Sequence, residues 1–201
     1  TIPVSAYISF TSTGIWTYSA VFFAFIIIPL LDLLTGETKD NLSDEDATYK
    51  KTKWIFDLML YLNVPIVFGL LYVILSNIQS QHYETYELVG LVLSSGILLA
   101  TNGINVAHEL GHRHPYFERF LSKFLYLPCL YMHFYIEHNF GHHMKVATPD
   151  DGATAKYNQN VYSFWVRSVT KQYVDAWKKQ MELLRAKNRS FFSFYNDMLW
   201  Y

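Results

Sequence analysis

The sequence predicts an all-α, polytopic transmembrane protein, and three observations carry that prediction. Of its 201 residues, 51% are hydrophobic and 18% aromatic, while only 16% are charged; an ordinary soluble domain carries about 25% charged residues. Three apolar runs have the length of a membrane span. The polar residues gather between and after those runs, and five histidines stand in two tight groups just beyond the third.

Taken in order, residues 2–16, broken at Gly14, read as the tail of an earlier span. The run YSAVFFAFIIIPLLDLL at 18–34 has one charge, Asp32, near its end. WIFDLMLYLNVPIVFGLLYVILS at 54–76 and YELVGLVLSSGILLATNGINVA at 86–107 are the second and third spans. Each approaches or exceeds the roughly 20 helical residues that a 30 Å hydrocarbon core requires. The segment 35–53 holds Lys39, Lys50, Lys51 and Lys53, whereas 77–85 has no Lys or Arg. Arg113, Arg119, Lys123, Lys145, Lys156, Arg167 and Lys171 follow the third span. Since Lys and Arg mark the cytoplasmic side, 35–53 and everything after His108 are expected in the cytosol.

Residues 117–136 are apolar, yet a single crossing there would separate His112 from His138 by about 30 Å. If the two histidine groups share a site, this segment lies in the interface or re-enters, with Pro115 and Pro128 bending it. Beyond 157, Trp165, Val169, Tyr173, Trp177 and Leu184 alternate with charges, as in an amphipathic cytosolic helix.

The net charge of −1 and the absence of a basic tract give no sign of nucleic-acid binding. One cysteine, Cys129, excludes an internal disulfide framework and a Cys-rich metal site; it reads as a small buried apolar residue. Thr1 at the start and the aromatic FFSFYNDMLWY at the end predict a fragment. Residues 1–201 are thus expected to be a single membrane-embedded domain truncated at both ends.

Of eight histidines, His108 and His112 in HELGH are four apart, so a helix places both on one face. His138 and His142 in EHNFGHH repeat that spacing, and His143 adds a further imidazole. Clustered ionisable groups at membrane helix ends read as functional, and the five are the expected metal ligands. Imidazole suits zinc, copper, iron and nickel alike. His82, His114 and His133 are read as ordinary interfacial or hydrogen-bonded residues.

HELGH also fits the H-E-x-x-H of zinc peptidases, with Glu109 as base. Such a site takes three protein ligands and an open position. EHNFGHH offers three more histidines, a surplus that a pair of metals absorbs. Glu109 and Glu137 adjoin candidate ligands and are expected to hold the second imidazole nitrogen. Asp150 and Asp151 are open between that role and capping the next segment. Gly90, Ser94, Ser95, Gly96 and Leu99 either line a path for a lipid-dissolved substrate or pack against a neighbouring helix.

NGINVAHELGHR and EHNFGHHMKVATPDDGATA resemble the first two histidine boxes of the integral-membrane alkane monooxygenases, within the membrane fatty-acid hydroxylase and desaturase superfamily. IPLLDLLTGETKDN and NQNVYSFWVRS resemble further stretches of those enzymes, so the likeness runs through nearly the whole chain. The resemblance implies a monooxygenase with two non-haem iron ions, held in part by His108, His112, His138, His142 and His143. It further implies hydroxylation of the terminal methyl of medium-chain n-alkanes by O2. Electrons would come from rubredoxin and rubredoxin reductase, in the bacterial inner membrane. The family reads Asp-Pro-Ala where this chain has Asp151-Gly152-Ala153, and its third histidine box has no counterpart here. A xylene-type methyl hydroxylase or a fatty-acyl desaturase is the related alternative. A zinc peptidase and a metal transporter using histidines as a transit site stand apart from it.

Overall fold

The computed structural model describes residues 1–36 and 54–201; the lysines expected to orient the first loop lie outside them. Among the described residues every regular element is helical. Helix α1 spans Ile2–Thr11. Three helices long and apolar enough to cross a membrane follow: α2 (Gly14–Thr35), α3 (Trp54–Ser80) and α4 (Thr85–Gly111). All three expected spans are therefore present. The chain divides into two compact units, Thr1–Ala107 and His108–Tyr201.

In the first unit α1 is a short apolar helix, and its Ala6 and Phe10 join Ala20, Leu70, Ile74, Leu91 and Leu98 in one cluster. Lipid offers no hydrophobic drive between helices, so close approach and polar contacts must hold them. Both are evident. A Cβ on Gly90 would come within 2.6 Å of the Tyr18 ring, and Ser94 donates to the Thr17 carbonyl at 2.8 Å. These two members of the small-residue stripe pack against α2. Asn77 donates to the Phe10 carbonyl, Asn102 to Asn63 and Tyr18 to the Tyr86 carbonyl. Buried Glu87 accepts from the backbone N–H of Gly14 and of Glu84, tying the start of α4 to that of α2.

In the second unit the apolar stretch 117–136 turns back on itself. Helix α5 (Tyr116–Tyr126) is amphipathic and starts just after Pro115, a residue suited to a helix start. A 3-10 turn at Leu127–Cys129 follows, and Leu130 adopts a left-handed φ of 51°. Helix α6 begins there: Phe134–Glu137 is α, His138–His142 is π, and His143–Lys145 is α again. Helix α7 (Val161–Ala186) has Asn160 as N-cap, accepting from the Ser163 N–H at 2.9 Å. It buries Ser168, Gln172, Asp175, Ala176, Gln180 and Leu184, a mixed polar and apolar stripe.

Candidate metal centre

The last residues of α4 and the middle of α6 bring the two histidine motifs together. His108 and His112, one turn apart, have Nε2 atoms separated by 2.9 Å. From α6, His138 Nε2 lies 2.6 Å from that of His108 and 3.1 Å from that of His112. Ligand atoms of these three all lie within 4.8 Å of one another. His143 Nε2 is 3.1 Å from His138 Nε2.

The π turn explains which imidazoles meet. Four-residue spacing alone would pair His138 with His142. A π turn, closed by i→i+5 bonds, brings the fifth residue onto that face instead, so His143 takes the place beside His138. His142 is turned aside, its ring centroid 5.3 Å from that of His138. Its Nδ1 meets Asp151 Oδ1 at 3.0 Å.

Asp151 is 1% exposed. Burial opposes its charge, but hydrogen bonds from His142, Thr154 and the Ala153 N–H outweigh this and hold its carboxyl below the usual value. An ionised carboxylate can only accept, so His142 Nδ1 carries a proton and donates it to Asp151. His138 is pushed down to about 3, by burial first and then by the neighbouring histidines. It is therefore neutral near pH 7, the form that binds metals.

The remaining acids divide. Glu137 is buried, one carboxylate oxygen has no hydrogen-bond partner, and burial raises its carboxyl to about 7. Gly141 gives it room: a Cβ there would stand 3.3 Å from Glu137 Oε1. Glu109 is more than half exposed and pairs with Arg113 at 3.5 Å, so it turns to solvent rather than to an imidazole. Asp150 is exposed. His133 is buried between the Tyr131 and Tyr173 rings with its Nε2 unpartnered; His82 and His114 are exposed.

Donors of this type fit a transition-metal ion. His108, His112 and His138 bring ring nitrogens within ligating distance of one another, and the neighbouring His142 is fixed by a carboxylate, as ligating histidines commonly are. A shared cation would accept one lone pair from each of these rings. Of the five histidines the motifs single out, the structure brings together His108, His112 and His138, with His143 beside His138 and His142 on Asp151; which acid serves His142 had no signal beyond proximity.

Residues 84–201 match the fatty acid desaturase family. The chain is 35% identical over 175 residues to an alkane 1-monooxygenase of Pseudomonas putida, covering 86% of this chain and 43% of that one. To an alkane 1-monooxygenase of Ectopseudomonas oleovorans it is 33% identical over 198 residues, covering 92% and 49%. Similarity at 26% over 185 residues extends to the xylene/toluene monooxygenase hydroxylase component of Pseudomonas putida, covering 88% and 46%. The chain spans about half the length of the curated relatives it matches.

Proposed function

The chain belongs to the fatty acid desaturase family, and from that premise we propose that it is the histidine-bearing part of a membrane non-haem di-iron monooxygenase. The substrate is a medium-chain n-alkane, hydroxylated at its terminal methyl, and rubredoxin with its reductase supplies electrons. The observation that carries this reading is the convergence of His108, His112 and His138, with His143 beside them, in a chain similar to alkane 1-monooxygenases.

Iron held there would supply the O2 activation that no side chain can provide. The chain's own groups do the placing. His108 is held by the last turn of α4 and His112 by the turn that follows it, His138 and His143 by the π turn, and His142 by Asp151. His142 stands outside the convergent three and would be the imidazole available to a second iron. Glu109, engaged by Arg113, is poorly placed as a peptidase base.

Cytosolic placement of the histidines in the bacterial inner membrane rests on the lysine and arginine distribution. An alkane dissolved in lipid then reaches them from within the bilayer.

The test uses the full-length protein, purified and supplied with O2, rubredoxin and its reductase. Octane should give 1-octanol, and metal analysis should find two irons per chain. Xylene or acyl-chain turnover without octanol would move the assignment to a sister enzyme. One zinc, no iron and peptide cleavage would overturn it.

A further inference from the structure

Apart from the histidines, the second unit holds a cavity of about 510 Å³. Arg119 and Lys123 reach it from α5, and Lys187 and Arg189 from the end of α7, against a single carboxylate, Asp197. Asp197 is already engaged, 2.7 Å from Lys123 Nζ. Among the described residues no ion pair joins Arg119, Lys187 or Arg189 to a carboxylate. The two arginines are instead steadied by rings. The Arg119 guanidinium carbon lies 4.5 Å from the Tyr116 centroid, and that of Arg189 lies 3.2 Å from the Tyr195 centroid. A ring face orients a cation without neutralising it.

Phe120, Ile136, Phe140, Leu183 and Leu184 give the wall an apolar side, beside Gln180 and three tyrosines. Tyr116, Phe120 and Tyr195, which line the cavity, are exposed, as are Phe192 and Phe194 nearby in the chain. Aromatic rings and cations exposed together are the pattern of a membrane interface. Three cations without a carboxylate partner, one of them, Arg119, hydrogen-bonded to the Tyr135 side chain, call for an anion; the adjoining apolar wall calls for hydrocarbon. Inorganic phosphate answers only the first demand, whereas an acidic phospholipid answers both.

We propose that this cavity binds the headgroup phosphate of an acidic phospholipid, with acyl chain lying along Phe120, Phe140 and Leu183. The site is independent of the iron reading. It anchors the second unit to an anionic leaflet through Arg119, Lys187 and Arg189.

The experiment is native mass spectrometry and lipid titration of the full-length protein with phosphatidylglycerol, with phosphatidylcholine, and with inorganic phosphate alone. Wild type should retain phosphatidylglycerol over phosphatidylcholine, and Arg119→Gln with Arg189→Gln should weaken that retention roughly tenfold to thirtyfold. Lys179→Gln, a charge loss outside the cavity, should leave it unchanged, which separates a site from general attraction. Folding of the double variant is checked by its unchanged melting temperature; single Lys187→Gln gives a milder form of the same loss if the double variant unfolds. Equal retention of the two lipids, phosphate binding that phosphatidylglycerol fails to displace, or full retention by the variants would each overturn the proposal.

Discussion

Asp151 accepts a hydrogen bond from His142 Nδ1 at 3.0 Å while remaining almost wholly enclosed. Its other contacts, from the Thr154 hydroxyl at 2.5 Å and the Ala153 N–H at 3.0 Å, hold the carboxylate still. Arg167 secures the same loop by donating to the Thr154 carbonyl at 2.6 Å. The ring of His142 is thus aimed by a rigid anion.

Replacing Asp151 by Asn keeps the shape and an acceptor for Ala153 but removes the negative charge that receives the His142 Nδ1–H bond. Metal retention against a chelator should fall by about 10- to 100-fold, with the melting temperature of the metal-free protein nearly unchanged. Thr154→Val, which loosens only the loop side, should lower stability more than metal retention. Equal metal loss in both variants would reduce Asp151 to a loop brace.

His138 is the common neighbour of three imidazoles, at 2.6, 3.1 and 3.1 Å. In the full-length protein His138→Ala should therefore abolish metal binding and, on the proposed function, alkane hydroxylation with it. Glu109→Gln removes a solvent-facing acid and should retain both. Metal content by elemental analysis and product by gas chromatography decide the matter; loss of activity in Glu109→Gln with iron intact would return Glu109 to the chemistry.

Gly90 sits where α4 meets α2, and a Cβ there would stand 2.6 Å from the Tyr18 ring, so the neighbouring side chains must shift. Gly90→Ala is expected to destabilise the first unit by about 1–3 kcal/mol, the usual range for overpacking. Gly96, with open space around the same position, is the control. A thermal-shift series in detergent should show Gly90→Ala melting well below Gly96→Ala.

Asp175 is buried on α7, yet Lys171 at 2.6 Å and Lys178 at 3.3 Å hold its carboxyl below the usual value, against the opposing effect of burial. A depressed carboxyl stabilises the fold above its unfolded value of about 3.9. That contribution disappears as pH falls through the folded value, because the native state must then take up a proton it binds weakly. Asp175→Asn should cost about 1 kcal/mol at pH 7, modest because both lysines are partly exposed. The gap from wild type should close below pH 4 in acid-unfolding curves; a gap that persists there would assign the loss to packing instead.

Much of this architecture is legible in residue order because its causes are local. Apolar length alone specifies α2, α3 and α4, and the alternation of Trp165, Val169, Tyr173 and Trp177 with charges specifies α7. The i,i+4 spacing of His108 and His112 likewise translates directly into a shared helix face. The same rule applied to His138 and His142 fails, since the π turn replaces a four-residue step by a five-residue one and brings His143 forward.

What the chain order by itself determined is that this is a helical membrane protein with five imidazoles in two motifs. Only the tertiary structure decided that the stretch 117–136 doubles back through left-handed Leu130, that His138 meets His108, and that Asp151 rather than Asp150 or Glu109 orients a histidine. Helix period and hydrophobic length act within one segment. Ring convergence and carboxylate partnering depend on where separate segments close on each other, and that closure is set by packing across the fold.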